Sequence, residues 1–178
     1  MGTQSDVFSR LANLALTVDF ESVYERELPR IYNYFRYRVG DDQVAEDLTA
    51  ETFEKAWRKR AQYRNDLASF STWLFALARR VAVDYFRRRR PTLPLENAAL
   101  VSDSYSIEDT AQEHAEFAQL AALLARLADR ERELVALKYG AGLTNRVIAR
   151  LTGLSESNVS TILSRVTQQL RAQWKDEP

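Results

Sequence analysis

Cysteine is absent from this chain of 178 residues. A disulfide framework, a thiol nucleophile and a cysteine-ligated metal centre are excluded with it. Histidine occurs once, at His114, which rules out a histidine-ligated metal cluster as well. Five glycines and four prolines leave little turn chemistry for a many-stranded sheet and favour helices. The sequence holds no run of about 18 apolar residues that would span a membrane. Its first residues lack the basic start and apolar centre of a signal peptide, so the expected location is the cytoplasm. No nucleophile with a partner base, no phosphate-binding loop and no cofactor motif stands out. The expectation is a protein that is not an enzyme and needs neither metal nor cofactor.

What is present is the make-up of an ordinary globular protein, with 46% hydrophobic and 28% charged residues. The formal net charge of zero hides an uneven layout. Residues 18–90 carry a net +3, residues 91–112 a net −4 and residues 113–178 a net +1. Residues 79–90 alone hold six Arg against one Asp. One dense basic spot on a near-neutral chain points to a focused anion site rather than a diffuse cationic coat.

Two helical units are expected, with a leader of residues 1–17 that has helical spacing at Phe8, Leu11 and Leu14. The first unit, 18–90, reads as three or four helices. Phe20 to Val39 is amphipathic, with Pro29 marking a kink or a break and Gly40 ending it. A second helix starts at Asp41 or Asp42 and runs to about Ala61. A third runs from Ser69 to Arg90 and stops before Pro91. Residues 91–112 open with two prolines, are acidic and weakly periodic, and read as a linker. The second unit, 113–174, reads as a helix to Leu127 and further helices over 129–139, 144–152 and 155–174. A linker of this length leaves both compact and extended arrangements open.

Residues 144–166 follow an Ala-x-x-x-Gly-x-x-x-x-x-Val-x-x-Ile layout, through Ala149, Gly153, Val159 and Ile162. Ala149 suits a close approach of two helices. Gly153 suits a left-handed turn. Ser155 suits the N-cap that follows. Ile148, Leu154, Val159 and Ile162 are expected to bury the corner. This is a helix-turn-helix signature. Its second helix presents Ser155, Ser157, Asn158, Ser160, Thr161, Ser164 and Arg165, groups that hydrogen-bond base edges or phosphates. The helix is poor in Lys and Arg, so this unit alone should bind DNA weakly.

On the third helix, Phe70, Leu74, Leu77 and Val81 form an apolar stripe that faces the core. Trp73, Arg80, Asp84 and Arg87 line its flank, with Arg88 nearby. Guanidiniums beside an aromatic ring are the make-up of a nucleic-acid groove, the cations meeting phosphate or guanine and the ring stacking on an unpaired base. On the second helix, Ala45, Leu48, Thr49, Thr52, Phe53 and Ala56 form the inward face. Asp47, Glu51 and Glu54 form an acidic stripe opposite, with Glu46 beside it. By periodicity alone that stripe is a solvated face.

The segments AEDLTAETFEKAWRK (45–59), FSTWLFALARRVAVDYFRRRR (70–90) and LARLADRERELVALKYGAGLT (124–144), in this order, resemble the bacterial sigma-70 family. The closest likeness is to its extracytoplasmic-function group, over about residues 18–172. The resemblance implies an all-α fold of a sigma2-like domain and a sigma4-like helix-turn-helix domain. It implies that Glu46, Asp47, Leu48, Glu51 and Phe53 dock on the clamp helices of RNA polymerase core. It implies that the stretch from Tyr63 through Phe70 to Trp73 traps the melted −10 strand. Arg80, Asp84, Arg87 and Arg88 would read the −10 element of promoter DNA. Ser155 to Arg165 would read the −35 element. An anti-sigma factor is a further partner the family suggests. Three departures stand out: Arg80 where the family commonly has Asn, Arg146 and Val147 where it has acids, and Ser160, Ile162 and Thr167 where it has Lys or Arg. A stand-alone helix-turn-helix regulator and a sigma-like interaction protein with an atypical −35 domain are the alternative readings.

Overall fold

The computed structural model describes residues 20–89 and 110–176. Every regular element among them is helical, as the scarcity of turn residues predicts. The first unit consists of α1 (Phe20–Val39), α2 (Asp42–Lys59), a 3-10 turn (Arg60–Gln62) and α3 (Phe70–Arg88). The second holds α4 (Thr110–Ala125), α5 (Asp129–Val135), a π turn (Ala136–Gly140), α6 (Asn145–Thr152) and α7 (Glu156–Asp176). α4 begins at Thr110, so the last three residues expected in the linker are helical. The rest of that linker and the leader lie outside the described residues.

α1 is the hub. Its Ile31, Tyr34 and Phe35 are fully buried, and Tyr34 meets Phe35 and Phe75 at ring-centroid distances of 5.0 and 6.1 Å. Pro29 sits inside α1 without breaking it. A mid-helix proline costs about 3 kcal/mol. The apolar residues on either side of it, Val23 before and Ile31, Tyr34 and Phe35 after, are anchored in the core and hold the helix through it. Gly40, at φ +73°, ends α1 and donates to the Arg36 carbonyl at 2.9 Å. Asp41 then caps α2 by accepting from the Val44 amide at 2.8 Å. The inward face of α2 is the one expected from periodicity: Ala45, Leu48, Thr49, Thr52, Phe53 and Ala56 are all buried. Ser69 caps α3 by accepting from the Thr72 amide.

Two buried ions are foreign to the sequence pattern. Glu27 is 1% exposed. Its carboxylate accepts from Arg26 at 3.0 Å, Arg30 at 2.8 Å and the Ser71 hydroxyl at 3.2 Å, and so ties α1 to α3. Arg38 is 3% exposed. It lies over the Phe86 ring at 4.6 Å and donates to Asp129 at 2.8 Å.

The second unit packs directly on the first, and their buried residues form one continuous core. α1 runs against the π turn, α4 and α5, while α3 meets α6. Arg36 covers the Phe117 ring at 3.6 Å, and Tyr37 meets the same ring at 5.7 Å. Of the two arrangements the sequence leaves open, this is the compact one.

Candidate nucleic-acid interface

The helix-turn-helix forms where the motif predicts. Thr144 caps α6 by accepting from the Val147 amide. Gly153 takes the left-handed turn at φ +74° and donates to the Ala149 carbonyl at 2.9 Å. Ser155 caps α7 by accepting from the Asn158 amide at 3.2 Å. Ile148 and Val159 are fully buried, whereas Leu154 and Ile162 are only half-buried. Leu163 and Val166 close the corner instead. They lie one and four residues past Ile162, on the side of α7 that turns toward the core.

The expected recognition surface is open. Ser155, Ser157, Asn158, Ser160, Thr161, Ser164 and Arg165 are all exposed. Several are engaged locally: Thr161 donates to the Ser157 carbonyl, and the Ser155 and Ser157 hydroxyls meet at 3.1 Å. Arg165 is held by Glu131 of α5 at 2.5 Å. Two of the departures from the family pattern have a physical account. Arg146 pairs with Glu156 across the turn at 3.0 Å. Val147 is half-buried against the core rather than facing water.

At the end of α3, Arg80 is exposed and has no ion pair among the described residues. Arg87 pairs with Asp84 at 2.9 Å, one turn away. Arg88 approaches Glu51 of α2 at 3.7 Å, which joins the basic helix end to the acidic stripe. Arg89 lies against its own Tyr85, donating to the ring hydroxyl. The aromatic part of the site departs from expectation. Trp73 lies on the same flank of α3 as Arg80, seven residues before it, and is half-buried in a cluster with Tyr63 and Phe70, at centroid distances of 5.4 and 5.1 Å. Phe70, expected to touch DNA, is 7% exposed and backs the other two rings. Tyr63 donates to the Ala68 carbonyl at 3.0 Å, which pins the loop between α2 and α3. Burial raises its pKa, so the hydroxyl stays a neutral donor.

On α2, Glu46 and Asp47 are exposed, and Glu54 pairs with Arg58 at 2.5 Å. Glu51 is half-buried and pairs with Lys55 at 2.6 Å. Leu48 and Phe53, expected at a protein interface, belong to the core at 5% and 6% exposure. Their apolar side chains follow the inward period of α2, and that period outweighs their membership of the docking segment. Phe53 still edges an apolar groove, with Tyr24, Leu28, Pro29 and Tyr32 on the opposite side. Tyr24 stands edge-on to it at 4.7 Å. Burial, then the nearby Asp42 carboxylate, push the Tyr32 pKa up to about 12. Exposed Trp57, with Arg60 at 3.9 Å over its ring, was not singled out from the sequence.

Known proteins match both units. Residues 23–92 match sigma-70 region 2, and residues 117–170 match sigma-70, region 4. The ECF RNA polymerase sigma factor BldN of Streptomyces coelicolor is 30% identical over 89% of this chain, which spans 61% of that relative's length. The ECF RNA polymerase sigma factor SigM of Bacillus subtilis is 26% identical over 88% of this chain and 94% of its own length. Among solved structures, RpoE of Bartonella quintana, in complex with the anti-sigma factor NepR, superposes with a TM-score of 0.69 over 90% of this chain and 99% of that one, at 21% identity. CnrH, in complex with the cytosolic domain of CnrY, gives 0.68 over 89% of each chain, at 22% identity. Both share the two-unit all-α fold.

Proposed function

The chain belongs to the extracytoplasmic-function group of the sigma-70 family, and on that premise we propose that it binds RNA polymerase core in the cytoplasm and directs it to promoters. In this reading Glu46 and Asp47 on α2 meet a basic surface of the polymerase clamp helices. Glu51 orients Arg88 and Lys55 at the edge of that contact. Leu48 and Phe53 act from beneath, by fixing the helix that displays the acids. Arg80, Arg87 and Arg88 meet the −10 duplex. The exposed edges of Tyr63 and Trp73, backed by Phe70, receive unpaired bases by stacking once the strands part. α7 reads the −35 element with its hydroxyl and amide groups, through direct and water-mediated contacts. The protein breaks and makes no covalent bond; polymerase supplies the catalysis.

The observation that carries this reading is the join between the two surfaces. Glu51 of the acidic stripe reaches Arg88 of the basic helix end at 3.7 Å, so polymerase contact and DNA contact share one edge of one domain. A stand-alone helix-turn-helix regulator has no use for that edge. The test is co-elution with purified core, followed by run-off transcription on a promoter library. Wild-type chain should co-elute and yield transcripts that share two spaced elements. Glu46→Arg with Asp47→Arg should abolish co-elution and leave the melting temperature within about 2 °C, since exposed charge changes rarely exceed about 0.5 kcal/mol. Co-elution that survives the double substitution removes α2 from the polymerase contact.

A further inference from the structure

We propose that Val83 reads a thymine: its exposed side chain packs on the 5-methyl group of one thymine in the duplex part of the −10 element, and so sets the base preference of α3 at that position. The proposal rests on the reading of α3 as the −10 helix and adds a base identity to it.

Four residues of α3 are exposed: Arg80, Val83, Arg87 and Arg88. Three of them are cations, and Val83 stands among these at 57% exposure. Arg80 lies three residues before it and Arg87 four after, so the three share one edge of the helix with Val83 in the middle. Neither packing nor helix propensity accounts for a valine here. The core takes the two residues before it, Val81 and Ala82, each 1% exposed, and leaves Val83 out. At an open position inside a helix, valine is a poorer helix former than alanine, leucine or arginine. A lone apolar residue on a solvated face needs no account. What separates Val83 from other open apolar side chains, such as Leu67 and Tyr139, is its place in the centre of a stripe of arginines.

The surroundings favour a contact with a base edge. Asp84 is the one acid of α3, and Arg87 holds its carboxylate at 2.9 Å. Seven residues separate Arg80 from Arg87, about 10.5 Å along the axis. The major groove of B-DNA is about 12 Å wide. Guanidiniums that hold phosphates on its two rims leave Val83 over the base edges between them. Phosphate contacts fix register and carry no sequence information. Val83 can supply that information. Its side chain neither donates nor accepts a hydrogen bond, so of the groups displayed in the major groove it matches the apolar one, the thymine methyl. The contact is also pre-ordered. Branching at Cβ leaves valine one dominant rotamer in a helix, and buried Val81 and Ala82 fix the backbone beside it. Little side-chain freedom is left to lose on binding.

Uracil differs from thymine by the absence of that methyl, which gives a direct test. Polymerase core carrying the wild-type chain, Val83→Ala or Val83→Ile is titrated by fluorescence anisotropy against a promoter duplex selected by run-off transcription. Each thymine of its −10 element is replaced in turn by uracil. For wild type, one replacement in the duplex part should weaken binding by about fourfold, the worth of one buried methyl group. Val83→Ala should weaken binding to the unmodified promoter by a similar factor and lose the response to that replacement. Val83→Ile should keep the response. Residue 83 is exposed and uncharged, so both variants should keep wild-type circular dichroism and the wild-type salt slope. A wild-type complex indifferent to every replacement, a selected −10 element without thymine in its duplex part, or a Val83→Ala complex that keeps the full loss at the same position would each overturn the assignment of Val83 and leave α3 as the −10 helix. A wild-type complex that prefers no promoter over random duplex would instead overturn the promoter-reading role, and the part of Val83 with it.

Discussion

The cations at the end of α3 are not equally available, and their differences rank their effects on DNA binding. Arg80 is exposed with no ion pair among the described residues. Arg88 is 65% exposed and faces Glu51 only at 3.7 Å. Arg87 is 74% exposed but already held by Asp84 at 2.9 Å. Each phosphate neutralised by protein contributes about −0.9 to the slope of log affinity against log salt. Replacing both Arg80 and Arg88 by Ala should therefore flatten that slope by about 1.8. Over a fourfold rise in salt, from about 50 to 200 mM, the variant should lose about twelvefold less affinity than wild type. Arg87→Ala should flatten it by less, because part of that charge is already spent on Asp84 and the freed carboxylate then repels phosphate. The assay is fluorescence anisotropy of labelled promoter duplex with the polymerase complex, titrated across that salt range. A double variant with the wild-type slope, or an Arg87 effect larger than that of Arg80, would refute the reasoning and leave the arginine run as a solvated helix end.

Glu27→Ala should lower stability by about 2–4 kcal/mol, because it strands Arg30 and the Ser71 hydroxyl; the figure sits below a fully buried pair because Arg30 is 34% exposed. That corresponds to a melting temperature lower by about 5–15 °C for a chain of this size, and a change under about 2 °C in a circular dichroism melt would contradict it. Trp73→Ala should leave duplex binding intact but reduce promoter melting at least fivefold or so in permanganate footprinting, the loss of one stacked base; equal loss in both would place Trp73 in the core alone. Glu131→Gln should free Arg165 from its 2.5 Å pair and steepen the salt slope by about one phosphate contact, read by the same anisotropy titration. An unchanged slope would mean that Arg165 does not face DNA.

Short-range grammar was legible in the sequence. The cap at Ser155 and the left-handed Gly153 were legible directly, and the predicted helix starts at Asp41, Ser69 and Thr144 fall where the structure shows caps; each depends on residues within four positions. The inward face of α2 was legible for the same reason, as a helical period. Leu48 and Phe53 belong both to the docking segment that the resemblance implies and to the inward period of α2, and the structure places them in the core, with Phe53 also edging the groove. Long-range chemistry was not legible. Nothing in the sequence around Glu27 and Arg38 marks them for burial. Their burial depends on Ser71, 44 residues away, and Asp129, 91 residues away. The π turn was read as ordinary helix. It is closed by the Ala141 amide donating to the Ala136 carbonyl at 2.9 Å, and it brings Gly140 against α1, a contact no local pattern encodes.

The charge of the second unit has a consequence for how the work is divided. Of the cations near the recognition helix, Arg146 is tied to Glu156 and Arg165 to Glu131. The face of α7 is left with hydroxyls and an amide, which discriminate base edges but contribute little to sequence-independent attraction. On the proposed function, affinity then comes from Arg80, Arg87 and Arg88 on α3 and from polymerase held through α2. A reader of this kind is selective only once it is delivered.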